Sequence, residues 1–364
     1  MTKMMTSRER VLATLAGRPV DRVASDFRAE PEVFAKLHQH LHLPDDEAVR
    51  VWAKSDFRDV GALCNTGGYG GYNAFGWTDV ALPDGSQRDL WGVRRKRVDY
   101  GAGTYIDIVE YPLKQASGID ALRKFKFPDP RQIFDFSPLP TVIERINAGG
   151  PYFTLIEGES LHDRCWAIRG IEEFMMDMLA DEDAALFLVE TMYRFFYDYT
   201  AMILRAARGK LDCIGIFNDL GNQLGMMIAP DLYRKYFKEK QRRYIELVKD
   251  AGLKVFYHSC GGVREILEDF VDIGVDILDP LQLNAMKLTP EQLRARVGEG
   301  LTLHGGLDVQ NLLVKDTPEA VRAAARDLKQ TLGRNGRYIL SCTHLIQMDA
   351  PLANIAAVVA EVGP

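Results

Sequence analysis

His258 and Cys260 stand two residues apart at the end of the strand-like run Lys254-Val255-Phe256-Tyr257, and Gly261-Gly262 follow at once. Side chains alternate faces along a strand, so residues i and i+2 point the same way with Cα atoms about 6.6 Å apart. An imidazole and a thiolate placed so can share one ion. A second pair with the same spacing, Cys342 and His344, follows Tyr338-Ile339-Leu340. Zinc takes these ligand types, and a catalytic zinc keeps three protein ligands and leaves one position open for a reactant. The competing reading is a buried cysteine beside a hydrogen-bonded histidine for the first pair, and a core thiol for Cys342.

The elements that must position these residues alternate. Thr6 or Ser7 caps a helix to about Gly17, and Pro19-Val20-Asp21-Arg22 leads into an apolar run at Val23 to Phe27. Residues 75–113 carry alternating apolar positions and a Pro83-Asp84-Gly85 turn, which predicts an antiparallel hairpin insertion within one 364-residue domain. Beyond Pro140 the pattern predicts strands at Phe153 to Glu157, Cys213 to Asn218, Lys254 to His258, Val275 to Leu278, Leu301 to His304 and Tyr338 to Ser341. Helices are expected near Ile171 to Leu179, Asp183 to Arg208, Pro230 to Ala251, Val263 to Phe270, Pro290 to Val297 and Pro318 to Leu332, with a last one after Pro351. Six such units plus one or two from the N-terminal part predict an α/β fold, a (β/α)8 barrel. No G-x-G-x-x-G follows a strand to favour an open doubly wound sheet. Active sites of such barrels gather where strands end. There lie Glu157 and Glu159, Asn218 and Asp219, His258 and Cys260, Asp279, His304, Cys342 and His344.

With 47% hydrophobic and 26% charged residues and a net charge of -6 spread along the chain, the composition is that of a soluble globular protein. It argues against nucleic acid or an anionic membrane as partner and for a small molecule. No signal-like or membrane-spanning stretch is evident, so the expected location is the cytoplasm. Five cysteines predict free thiols or ligands and no disulfide framework. Cys64, Cys165 and Cys213 are expected to pack as small hydrophobes. His38-Gln39-His40-Leu41-His42 is read as histidines at a helix end, not as a metal tract, and Gly67-Gly68-Tyr69-Gly70-Gly71 as a flexible lid. Arg94-Arg95-Lys96-Arg97 is a solvated edge or a docking strip for an acidic partner.

Several segments together carry a resemblance. They are Ser7-Arg8-Glu9-Arg10-Val11-Leu12, Pro19-Val20-Asp21-Arg22, Trp166-Ala167-Ile168-Arg169-Gly170, Asn218-Asp219-Leu220-Gly221-Asn222-Gln223, the His258 motif, Gly305-Gly306-Leu307-Asp308 and Pro351-Leu352-Ala353-Asn354-Ile355. Through them the chain resembles the uroporphyrinogen decarboxylase superfamily nearly end to end, and within it the branch of cobalamin-linked methyltransferases. The decarboxylases carry an N-terminal segment of the type Met-Arg-Gln-Ala-Gly-Arg that binds substrate carboxylates. Here Ala24-Ser25-Asp26-Phe27-Arg28-Ala29-Glu30 stands in its place, which disfavours porphyrinogen decarboxylation.

The resemblance implies zinc held by His258 and Cys260 and by a third ligand near the last strand. Counting back from Pro351 puts His344 where the family has a cysteine, with Cys342 two residues before it. Three of these four are expected to bind, His344 ahead of Cys342. It further implies a zinc-dependent methyltransferase, acting between a small methyl donor or thiol acceptor and a corrinoid, methylcobalamin or cob(I)alamin. Since no Asp-x-His-x-x-Gly signature is present, the corrinoid would ride on a partner protein. Asp219, Glu157 and His304 are the expected proton-handling groups, and Asn218, Gln223, Arg164 and Tyr257 the expected substrate contacts. A homodimer is compatible with this reading. Two rivals stand beside it: a metal-free decarboxylase or lyase using Asp219 with Arg28 and Arg164 as carboxylate holders, and a non-catalytic barrel that binds a tetrapyrrole or corrinoid.

Overall fold

The structure is a computed structural model that describes residues 4–64, 75–99, 101 and 104–363. The expected lid at 67–71 and the Cys64 side chain lie outside the described residues. In chain order the strands are β1 (Ala24–Ser25) and β2 (Phe57–Asp59), then β3 (Val80–Ala81), β4 (Gln87–Arg88), β5 (Arg94–Asp99) and β6 (Thr104–Glu110). Next come β7 (Phe153–Glu159), β8 (Cys213–Phe217), the short pair β9 (Gly221–Asn222) and β10 (Gly225–Met226), β11 (Lys254–His258), β12 (Ile277–Asp279), β13 (Thr302–His304) and β14 (Tyr338–Leu340). Eight of them form one sheet in the order β1-β14-β13-β12-β11-β8-β7-β2, every pairing parallel. With helices between successive strands, this is the (β/α)8 barrel.

The barrel closes between β1 and β2, and side chains do much of the joining. One backbone bond, Asp56 N–H to Ser25 O at 2.8 Å, links the two segments. The Asp56 carboxylate accepts the Ser25 N–H at 3.0 Å, Ser25 Oγ donates to Lys54 O at 2.7 Å, and Ser55 Oγ accepts the Phe27 N–H at 3.0 Å. Asp56 is fully buried, and Arg10 and Arg22 neutralise it at 2.6 and 2.8 Å. Arg10 also bonds Asp21 at 2.7 Å, so the arginines of both N-terminal segments clamp the seam.

Strand alternation sorts the core into two sets. Val11, Leu15, Ala24, Phe57, Phe153, Leu155, Cys213, Phe256, Ile277 and Ile339 form one apolar cluster. The strand residues among them are the inward positions, sealed at the strands' N-terminal ends by Val11 and Leu15 of the helix Ser7–Leu15. Their neighbours of opposite parity, such as Ile156, Ile214, Val255, Tyr257, Leu278 and Leu340, pack outward against the helices. One step beyond the inner cluster the same faces carry Asp26, Asp59, Glu157, His258, Asp279 and His304.

Residues 80–110 form a four-stranded antiparallel sheet in the order β3-β4-β5-β6. The three arginines of its basic run are paired within the chain. Arg94 pairs with Asp84 and Glu110 at 2.8 and 2.9 Å, Arg95 with Asp89 at 2.5 Å, and Arg97 with Glu32 at 3.4 Å. Among the described residues no helix is long and apolar enough to cross a membrane. Removing Asp56 would leave Arg22 buried without its counter-ion and Arg10 with Asp21 alone, so Asp56→Ala is expected to cost about 3–5 kcal/mol in denaturant unfolding. A loss under about 1 kcal/mol would show that the seam does not depend on it.

Candidate functional site

β11 places Phe256 and His258 inward and Tyr257 outward, and the chain turns at Gly261, whose φ is +82°. A Cβ there would collide with the backbone of Gly221 and Asn222, and one at Gly221 would press on Gly262 and Cys260. The loops after β8 and β11 therefore touch backbone to backbone, with Gly262 N–H donating to Asn222 O at 2.9 Å. That approach brings Asp219 to Cys260, whose N–H donates to Asp219 Oδ1 at 2.9 Å. His258 Nε2 lies 3.3 Å from Cys260 Sγ and 3.6 Å from Asp219 Oδ1. One ligand atom from each of these three residues lies within 4.8 Å of the others, and among the described residues no other such group is found. His38 instead sits beside Asp46 at 3.0 Å at the end of its helix.

Behind the cluster stands Asp279, a buried carboxylate with three cationic or donor partners. Its Oδ2 is 2.5 Å from His258 Nδ1 and 3.0 Å from Arg28, and its Oδ1 is 2.6 Å from His304 Nδ1. Burial alone would raise its pKa, yet the charges of Arg28 and His304 and the hydrogen bonds of both histidines hold it well below the usual carboxylate range. Burial likewise opposes charge on His258, but its bonds to Asp279 and Cys260 raise it well above its ordinary value. Burial pushes the Cys260 thiol up, with His258 working against it. Phe217, the register partner of His258 on β8, stacks on the His258 ring at 5.3 Å.

The expected proton-handling groups separate. Glu157 is part-buried inside the mouth; burial pushes its carboxyl up to about 7, with Arg164 opposing and Asp59 and Asp163 reinforcing the shift. Glu159 follows a bulge at Gly158, where a Cβ would strike the Tyr244 hydroxyl and Ile214, and it is buried and pushed up to about 8. His304 is fully buried, flanked edge-on by the rings of Phe57 and Phe256, with Nε2 3.3 Å from Asp26. It braces Asp279 and does not reach the mouth.

Three expected substrate contacts have other work. Asn218 is buried; its Oδ1 accepts the His162 N–H at 2.6 Å and its Nδ2 donates to Glu159 at 2.8 Å. It caps from the end of the adjacent strand a helix, Leu161–Arg169, whose own N-cap Ser160 makes no side-chain bond. Tyr257 is fully buried on the outward face and donates to Gln241 at 3.1 Å. Arg164 bonds Asp89 of the inserted sheet at 3.0 Å and lies 5.4 Å from the Trp91 ring. Gln223 is exposed at the mouth and donates to Gln282, which also accepts the Gly261 N–H and donates to Thr343 O.

Neither residue of the second pair joins the cluster. β14 ends at Leu340, and Cys342 keeps the outward parity of Leu340, bridging Leu307 within the apolar layer. Burial pushes its thiol up to about 12. His344 follows a bend and is exposed at the rim; desolvation by its neighbours, then the charges of His258 and Arg28, lower its pKa.

Residues 164–363, more than half of the chain, match the family model described as "Uroporphyrinogen decarboxylase (URO-D)". The chain belongs to the uroporphyrinogen decarboxylase family. Within that family, the uroporphyrinogen decarboxylases of Coxiella burnetii strains Dugway 5J108-111 and RSA 493 / Nine Mile phase I are each 28% identical over 149 residues. The match spans 37% of this chain and 37% of theirs, well short of the relatives' full length. A methyltransferase from Methanosarcina mazei superposes with a TM-score of 0.68 over 98% of both chains at 16% identity, a likeness of fold.

Asn218→Ala removes a helix cap and a partner of Glu159, and is expected to cost about 1–3 kcal/mol in thermal unfolding with the metal content unchanged. A loss of bound metal without loss of stability would instead make Asn218 part of the site.

Proposed function

We propose that this member of the family is a zinc-dependent methyltransferase. It moves a methyl group between a small O- or S-methylated molecule and a corrinoid on a partner protein, with demethylation of the small molecule the favoured direction. The reading is carried by one observation, the carboxylate oxygen, imidazole nitrogen and sulfur of Asp219, His258 and Cys260 gathered within 4.8 Å. This donor set fits zinc. Around a tetrahedral zinc the N–S and N–O edges come to about 3.4–3.6 Å, and here the corresponding separations are 3.3 and 3.6 Å. Asp219 takes the place expected for His344 or Cys342, His344 stays at the rim as a pocket residue, and a fourth position is left for the reactant. The neighbour with the end-to-end likeness is a methyltransferase, which supports the same class of reaction here.

When bound, zinc supplies a Lewis acid at the oxygen or sulfur beside the moving methyl, and the partner's corrinoid supplies the nucleophile. Glu157 holds the proton that the departing oxygen needs. Its pKa of about 7 keeps a large protonated fraction at neutral pH. Asp279 holds His258, and the aromatic floor of Phe217 and Phe256 keeps water from the lower side. The 364 residues act as one unit in the cytoplasm, with the inserted sheet holding Arg164.

The decarboxylase activity of the Coxiella relatives needs cations free for substrate carboxylates. Arg28 is bonded to Asp279 and Arg164 to Asp89, which weighs against that reading.

Protein purified without chelator is expected to hold near one zinc per chain by mass spectrometry, lost in a His258→Ala/Cys260→Ser double variant. Absence of metal from both, even after added zinc, overturns the proposal. In an assay of methyl-ether demethylation by cob(I)alamin, the rate is expected to fall as pH rises through about 7, because the protonated form of Glu157 is the active one. Glu157→Gln is expected to lose about 10²–10⁴-fold and that pH dependence with it. An unchanged pH profile in the variant would remove Glu157 from the proton's path.

A further inference from the structure

The imidazole of His258 has two nitrogens, and only Nε2 faces Cys260 and Asp219. The ring has a free χ2 rotation that would exchange the two unless something holds it. Phe217 stacks on its face, which restrains tilt but does not choose between the nitrogens. Nδ1 sits 2.5 Å from the buried Asp279 carboxylate, the shortest side-chain bond at the site. We infer that Asp279 is the positioning residue of this centre: its carboxylate accepts the Nδ1–H of His258 and so aims the Nε2 lone pair at the cluster.

Asp279 is itself held in place. Its second oxygen takes His304 Nδ1 at 2.6 Å, its first is shared with Arg28 at 3.0 Å, and it is 1% exposed. His304 reaches on toward Asp26 at 3.3 Å, and Asp26 accepts from Ser55 at the barrel seam. A buried carboxylate pinned by His304 and Arg28 cannot follow His258 if the ring turns, so the ring must conform to it. This is the chemical role of a carboxylate behind a metal-bound histidine, which fixes the tautomer and raises ligand basicity. Only the zinc-affinity measurement below rests on the proposed metal function; the orientation of the ring does not.

The test uses the full chain, labelled with 15N-histidine and stripped of metal. A strongly deshielded, slowly exchanging imidazole Nδ1 proton is expected for His258, assigned by its disappearance in His258→Ala and distinguished from that of His304 by His304→Gln. In Asp279→Asn, which keeps an acceptor but loses the charge, that resonance is expected to move upfield. Zinc affinity, measured by competition with a chromophoric chelator, is expected to fall about 10–100-fold. Asp279→Glu is expected to recover part of the affinity. Absence of the deshielded His258 proton in the unmodified protein overturns the inference without any Asp279 variant, and so does an Asp279→Asn protein that loses thermal stability while keeping wild-type affinity and the wild-type resonance. If the unmodified protein takes up no zinc, the metal function fails, and the proton resonance alone then decides the role of Asp279.

Discussion

A barrel stands only if the two ends of its sheet meet, and here β1 and β2 meet through Asp56, a buried carboxylate with two arginines and a backbone amide on it. Everything at the mouth depends on that junction. Once the sheet is closed, parallel pairing brings the C-terminal ends of all eight strands to one rim, and alternation points every second side chain inward. Residues as far apart in the chain as Asp26, Glu157, Asp219, His258 and His304 then share a space that no local pattern could create. The N-terminal arginines, Arg10 and Arg22, look like surface charges in the sequence and are instead the clamps on this seam.

The parts of the fold and site that obey local rules were legible. β11 has the bounds that its alternation predicts, the helix Pro290–Val297 starts at its proline with a Thr289 cap, and His258 and Cys260 are neighbours as their spacing requires. The parts that depend on contact through space were not. The helix Leu161–Arg169 escapes a periodicity reading because seven of its nine residues are buried and no polar stripe marks an outer face. Its cap comes from Asn218 at the end of β8, so a residue that reads as a substrate contact spends its side chain on this helix and on Glu159. Two misplacements were avoidable: Tyr257 is one residue from His258, and Cys342 two from outward-facing Leu340, so parity alone puts both on the helix side. The approach of Asp219 to Cys260 rests on Gly221 touching Gly261 and Gly262, a signal visible only once the loops after β8 and β11 are side by side.

The charged layer above the apolar plug is ordered by pairing. Asp26 and Asp279 alternate with His304 and Arg28, so the buried ions compensate one another. Glu157 is the exception, a carboxyl whose pKa is raised first by burial, with Arg164 and His258 set against Asp59 and Asp163.

The apolar plug that holds Phe256, sealed by the helix Ser7–Leu15, fills the N-terminal end of the strands, so the Asp219, His258 and Cys260 group opens at their C-terminal rim. Under the proposed transfer both reactants must use that opening, one small and one carried by a protein wide enough to cover it. Under that proposal a small molecule bound at the rim would be covered when the partner seats, and the pace of the cycle would be tied to the partner's residence time as well as to the bond being broken.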